Sequence, residues 1–227
     1  MDEATLARVE AIFYNRLKAL YERIEDLSLD DVNVNPFLVE FARPVLGMSG
    51  NPDVARFQVQ QRLERALTGS VGTALAAAAH ELAVGRSRKS RKQILILERD
   101  AGVFNVLMKS GPDSLNQYGI SNARKSLRAL ASENGGEGRV GICYGRIEDL
   151  SSQTAALGRE FRVIIGEEFW EFVTGSKDAY QVVLQSAKNA SLKVASEEGG
   201  VGSLSRLIDD KAQRLGRQLE RASPGEK

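Results

Sequence analysis

At 227 residues and a net charge of +1, the chain is long enough to bury its own core, and its overall charge does not draw it to polyanions. One cysteine, Cys143, excludes an internal disulfide framework and fits a reducing compartment. No apolar run approaches membrane-spanning length and no signal-peptide pattern opens the chain, so a soluble, cytoplasmic protein with no membrane partner is expected.

Residues 4–27 predict an amphipathic helix, with Leu6, Val9, Ile12, Phe13, Leu17, Leu20, Ile24 and Leu27 on one face. A polar loop follows, and Pro36 opens an apolar segment from Phe37 to Leu46. Gly47 to Pro52 is turn chemistry, and residues 53–68 predict a polar helix. Ser70 to Val84 predicts a separate, alanine-rich helix stopped by Gly85. Arg86 to Lys92 carries five positive charges and no acid, as either a solvated loop or a phosphate-binding patch.

Two short apolar runs come next, Gln93 to Glu98 and Val103 to Met108, joined by the turn Asp100-Ala101-Gly102. Together they predict a β-hairpin that delivers Lys109 to a sheet edge. Alternation places Lys109 on one face with Leu107, Asn105 and Val103. Asn116 to Ser132 predicts a helix, broken at Asn134 to Gly138. Val140 to Gly145 and Phe161 to Ile165 predict buried strands. Glu167 to Val173, Ala179 to Glu197 and Leu204 to Arg221 predict helices, and Ser223 to Lys227 a frayed tail. The order implies an α/β core of four to five strands within a largely helical shell.

On the hairpin alone, Lys109 has two readings: a strand-end lysine reaching solvent, or a cation set beside a phosphate. Metal-assisted phosphodiester cleavage also needs carboxylates, because Mg²⁺ takes oxygen ligands. His80, the single histidine, has no nucleophile motif near it, and one Cys with one His cannot make a structural zinc site. Gly135-Gly136-Glu137-Gly138 lacks the lysine and hydroxyl of a phosphate loop, and Trp170 beside Phe169 reads as core.

Lys109-Ser110-Gly111-Pro112-Asp113-Ser114-Leu115-Asn116 resembles the Lys-Ser-Gly-Pro-Asn-Thr loop of type II restriction endonucleases that cut GGNCC-like palindromes, enzymes of the PD-(D/E)XK superfamily. Asn35-Pro36-Phe37, Glu98 to Gly102, Val140 to Gly145 and Gly166 to Trp170 are similar to family segments in the same order, across about residues 10 to 195. The resemblance implies a restriction-endonuclease-like mixed sheet flanked by helices, in a single domain over 1–227. Within it, 1–68 would be a helical N-terminal part, 70–195 the nuclease-like core, and 200–227 a C-terminal helix and tail.

It further implies a homodimer on double-stranded DNA, Mg²⁺-dependent cleavage, and a catalytic role for Lys109. The chain departs from the pattern at the acids. The first-strand aspartate should fall near Gln93 or Ile94, a second acid at Leu107, and a helix glutamate near Ala76 or Ala77. Of the remaining local acids, Asp100 reads as a turn former and Asp113 sits in the loop. Glu81, one helical turn beyond Ala77, and Glu98 are therefore the candidate metal ligands. Candidate DNA contacts are Arg86, Arg88, Lys89, Arg91 and Lys92 before the hairpin, Ser110 and Asn116 in the loop, and Arg124, Lys125 and Arg128 on the following helix. Arg139, Arg146, Arg159 and Arg162 are further possibilities. The alternative is a degenerate relative that binds duplex DNA, or serves as a partner subunit, without cleaving. A helical interaction domain unrelated to nucleases is a third reading.

Overall fold

The computed structural model describes residues 2–31, 35–89 and 94–222. Among these, eight α-helices and five strands follow in the order α1 (Glu3–Glu25), α2 (Pro36–Leu46), α3 (Asn51–Leu82), β1 (Arg86–Lys89), β2 (Ile94–Arg99), β3 (Gly102–Lys109), α4 (Gln117–Asn134), β4 (Glu137–Ile142), α5 (Ser152–Leu157), β5 (Arg162–Ile165), α6 (Glu167–Thr174), α7 (Ala179–Glu197) and α8 (Ser203–Ala222). They group into two compact units. One comprises Met1–Phe13 and Val71–Lys188, the other Tyr14–Ser70 and Asn189–Lys227.

The whole sheet belongs to the first unit, in the order β1-β2-β3-β4-β5. β1 to β3 are antiparallel neighbours, while β3–β4 and β4–β5 are parallel pairs, as the intervening helices α4 and α5 require. This is the helix-flanked mixed sheet with a helical N-terminal region that the resemblance implies. One face carries Ile94, Ile96, Leu107, Val140, Ile142 and Ile165, buried with Ile120, Ala123 and Leu127 of α4. On the other face Gly141 leaves room for Phe169. A Cβ at Gly141 would lie 2.6 Å from that ring and 2.8 Å from Val106.

Local chemistry explains the helix ends. The Asn35 side-chain oxygen accepts hydrogen bonds from the N–H groups of Phe37 and Leu38 and caps α2. Gly47 closes α2, and Gly135 closes α4, with φ values of 64° and 67° that glycine adopts without strain. The second unit is helical. Ala55 and Val59 of α3 pack with Ile208, Ala212 and Leu215 of α8.

The structure differs from the sequence expectations in four places. The two helices expected over residues 53–68 and 70–84 are one, because α3 runs unbroken from Asn51 to Leu82. Gly69 and Gly72 cost about 1 kcal/mol each, too little to break a helix between strong formers such as Ala66, Leu67, Ala74 and Leu75. The basic stretch, open between a solvated loop and a phosphate-binding patch in the sequence, begins with strand β1, whose polar residues pair along β2 and make a charged sheet edge. β4 starts at Glu137 rather than Val140, so part of the glycine-rich break is strand. Gly138 is needed there, since a Cβ would sit 2.9 Å from the Phe161 ring. α5 has no counterpart in the sequence reading.

Candidate functional site

β3 ends at Lys109, whose Cα stands opposite Ile142 of β4 and whose carbonyl accepts from the Cys143 N–H at 2.9 Å. The lysine side chain is half-buried, and desolvation holds its amine below the usual lysine range. Among the described residues it has no ion pair or hydrogen-bonded partner. It is therefore a cation held partly out of water, with no counter-charge among the described residues.

The loop after Lys109 is built closely. Ser110 stands against α3, where a Cβ on Gly72 would meet its Cβ and Oγ at 3.5 Å. Gly111 is buried beneath Tyr144; a Cβ there would lie 2.5 Å from the Tyr144 hydroxyl. The Ser114 hydroxyl donates to the Gly111 carbonyl at 2.6 Å, which tightens the turn. Pro112 abuts Gly145, whose φ of 103° suits glycine alone. Asn116 accepts from the Gly119 N–H at 2.8 Å and so caps α4, while its neighbour Leu115 anchors the loop in the core. Behind the loop, the Trp170 indole N–H donates to the Cys143 carbonyl at 2.8 Å. Cys143 itself is free and buried, and burial pushes its thiol pKa up to about 12, so it is inert.

Two of the positions where acids were expected, Ile94 and Leu107, lie on the same sheet face as Lys109 and are apolar. Ile94 pairs with Leu107 across the hairpin, and both lie on the Lys109 face. Ile94 is fully buried and Leu107 is 5% exposed, both in the layer under α4. Gln93, the other position considered for the aspartate, lies outside the described residues.

Both candidate ligands are engaged by arginines. Glu98 stands opposite Val103, six residues from Lys109 along β3, or about 20 Å at strand rise. Its carboxylate pairs with Arg88 at 3.5 Å. Glu81 is held by Arg8 at 2.5 Å, near the end of α3. It lies nine residues past Gly72, the point where α3 meets Ser110, and so about 13 Å along the helix from it. Among the described residues no three Asp, Glu, His or Cys side chains come together as a metal site. The described residues therefore present no ready-made cluster of carboxylates beside Lys109, and any Mg²⁺ there would lean on fewer protein ligands and on the phosphate itself.

The candidate DNA contacts divide in the same way. Arg124 and Arg128 both engage Glu160, each at 2.6 Å, and Arg88 engages Glu98. Ser110 and Asn116 serve the loop and the α4 cap. Arg86 on β1 and Lys125 on α4 are exposed and have no ion pair among the described residues. Lys89 ends β1, and Arg91 and Lys92 lie outside the described residues. Arg139 is structural: it pairs with Glu137 and lies 4.4 Å from the centroids of the Phe104 and Phe172 rings. Arg162 pairs with Glu168, and Arg146 accompanies the Asp149 turn. The sequence reading missed the roles of Tyr144, Gly72 and Glu160. Only the Tyr-Gly pair after the strand carried a signal, since the other two act through contacts distant in the chain.

No helix among the described residues is long and apolar enough to cross a membrane. Among curated proteins nothing matches the chain. Residues 11–193, most of its length, match the family model described as Type II restriction endonuclease EcoO109I. The chain therefore belongs to the type II restriction endonuclease EcoO109I family, whose substrate is DNA.

Proposed function

We propose that this chain is a duplex-DNA-binding member of its family that does not cleave, and that it works as a homodimer. One observation carries the reading: Ile94 and Leu107, at the expected acid positions beside Lys109, form part of a closed apolar layer. An in-line attack on a phosphodiester needs developing negative charge to be neutralised on the attacking and leaving oxygens. A single amine, with Glu81 and Glu98 paired to arginines, does not supply that. What remains suits binding. The Lys109 amine is suited to contact a backbone phosphate, and Arg86 and Lys125, which make no ion pair among the described residues, suit two more.

The test has two parts. Duplexes with and without GGNCC-like sites are titrated with protein at several salt concentrations. Each phosphate contact contributes a slope of about −0.9 in log affinity against log salt, so Lys109→Ala should flatten the slope by about one unit. Binding that ignores salt would sink the reading. Plasmid incubated with excess protein and Mg²⁺ or Mn²⁺ should stay intact.

A second reading, Mg²⁺-dependent site-specific cleavage, has one observation in its favour. Lys109 keeps the position and the depressed basicity that suit a group orienting a water molecule. Discrete plasmid fragments that vanish with Lys109→Ala would select it.

A further inference from the structure

The parallel strands β3, β4 and β5 end at one edge of the sheet, where Lys109, Ile142 and Ile165 form a row. The edge at the carboxyl ends of parallel strands is where α/β sheets take their ligands. Tyr144 follows Ile142 by two residues and so comes to that edge beside the Lys109 loop.

The backbone at Tyr144 is held from three sides. The Trp170 indole N–H donates to the carbonyl of the preceding residue, Cys143, at 2.8 Å. The following residue, Gly145, is closed in by Pro112, whose ring carbons would lie 3.1 Å from an added Cβ. Gly166 also abuts it, since a Cβ there would lie 2.8 Å from the Gly145 carbonyl oxygen.

Gly111 is shaped to the same side chain. Its φ lies outside the left-handed region, so its backbone does not require glycine. The tyrosine requires it: a Cβ would lie 2.5 Å from the phenol oxygen and 2.7 Å from the ring carbon bearing it. Although pressed against this loop, Tyr144 is 47% exposed. Its hydroxyl makes no hydrogen bond among the described residues. A ring used for packing alone would need no hydroxyl. Gly111 is two residues from Lys109, so their Cα atoms are at most about 7.6 Å apart.

We propose that the Tyr144 hydroxyl donates a hydrogen bond to the DNA phosphate backbone beside the Lys109 contact. The assignment deepens the DNA-binding reading above and rests on it. Tyrosine hydroxyls are among the donors that phosphate oxygens accept, and such contacts fix the register of a duplex. With its backbone already held, Tyr144 has only two side-chain torsions left to order on binding. Being neutral, it adds affinity without releasing a counterion, which separates its effect from that of Lys109.

The experiment compares the full chain with Tyr144→Phe and Tyr144→Leu by fluorescence anisotropy on a labelled duplex at several salt concentrations. Tyr144→Phe should lose about 3- to 10-fold in affinity, the worth of one neutral hydrogen bond, with the salt slope unchanged. Its urea midpoint should not move, because the hydroxyl has no partner within the described protein. Gly111→Ala should reproduce the loss with Tyr144 intact, since its methyl group displaces the phenol. Wild-type affinity in Tyr144→Phe would overturn the assignment. So would a loss confined to Tyr144→Leu, the mark of a ring stacked on a base. A loss in Tyr144→Phe that follows a lowered urea midpoint would make the residue structural and overturn it too. A wild type that does not bind duplex DNA defeats the DNA-binding reading itself. A wild type that binds, matched by Tyr144→Phe, defeats this contact alone.

Discussion

Ile94 lies directly opposite Leu107 across the β2–β3 ladder, and both side chains turn into the layer beneath α4. Restoring an acid there reports on how closed the layer is. Leu107→Glu places a carboxylate among Ile120, Leu127 and Val140, with Lys109 the nearest cation along the strand. The expected cost is about 2–5 kcal/mol in urea unfolding, from desolvation and lost packing. A midpoint that does not move would mean that the layer admits water, and metal chemistry would return to consideration.

Lys109 should destabilise the fold slightly. Its folded pKa is lowered by burial, so between that value and 10.5 the unfolded chain binds more protons than the native one. Stability from this group therefore rises with pH across that window and is lost as pH falls through the folded value. Lys109→Met should be at least as stable as the wild type at neutral pH. The difference should shrink as pH approaches 10.5, as seen in paired thermal melts. A Met variant that is less stable at neutral pH would point to an unseen partner for the amine.

Glu160 holds Arg124 and Arg128 at 2.6 Å each. If α4 lies against DNA, Glu160→Gln releases both guanidiniums and removes a repelling charge. Affinity for duplex DNA should rise, and the salt slope should steepen by about one to two units. Fluorescence anisotropy at several salt concentrations gives both quantities. An unchanged slope would remove α4 from the DNA-facing surface.

Asn105 is fully buried on β3, and its amide exchanges two hydrogen bonds with Asn134 at the end of α4, at 3.0 and 2.9 Å. Asn134→Ala should cost about 1–3 kcal/mol, because it strands a buried amide. Asn105→Val combined with Asn134→Ala should recover part of that loss. Additive losses in the double variant would show that the two amides are not coupled.

Gly141 sits between Val106 and the Phe169 ring with no room for a methyl group. Gly141→Ala should cost about 1–3 kcal/mol by overpacking, read from the unfolding midpoint. Gly102, at the hairpin turn, has open space where a Cβ would go but a φ of 125°. Gly102→Ala there should act through backbone strain rather than through a clash.

Much of the architecture was decided by the order of residues alone. Period-four apolar spacing in α1, the two alternating runs around Asp100-Ala101-Gly102, and the caps at Asn35 and Asn116 are local signals. Local signals survive because each is set by neighbours within a few residues. The Lys-Ser-Gly-Pro loop was legible for the same reason, and so was the departure at Leu107 and Ile94. What the chain order left open were facts of distance. β1 is a strand only because β2 offers its edge, and α3 is continuous because the helix formers around Gly69 and Gly72 outweigh the two glycines. Whether Glu81 and Glu98 stand near Lys109 depends on strand register and helix direction, which bring together residues far apart in sequence. Register places Glu98 at the opposite end of the hairpin, and Arg8 occupies Glu81. Composition supplied the acids; only the folded backbone determined which arginines hold them.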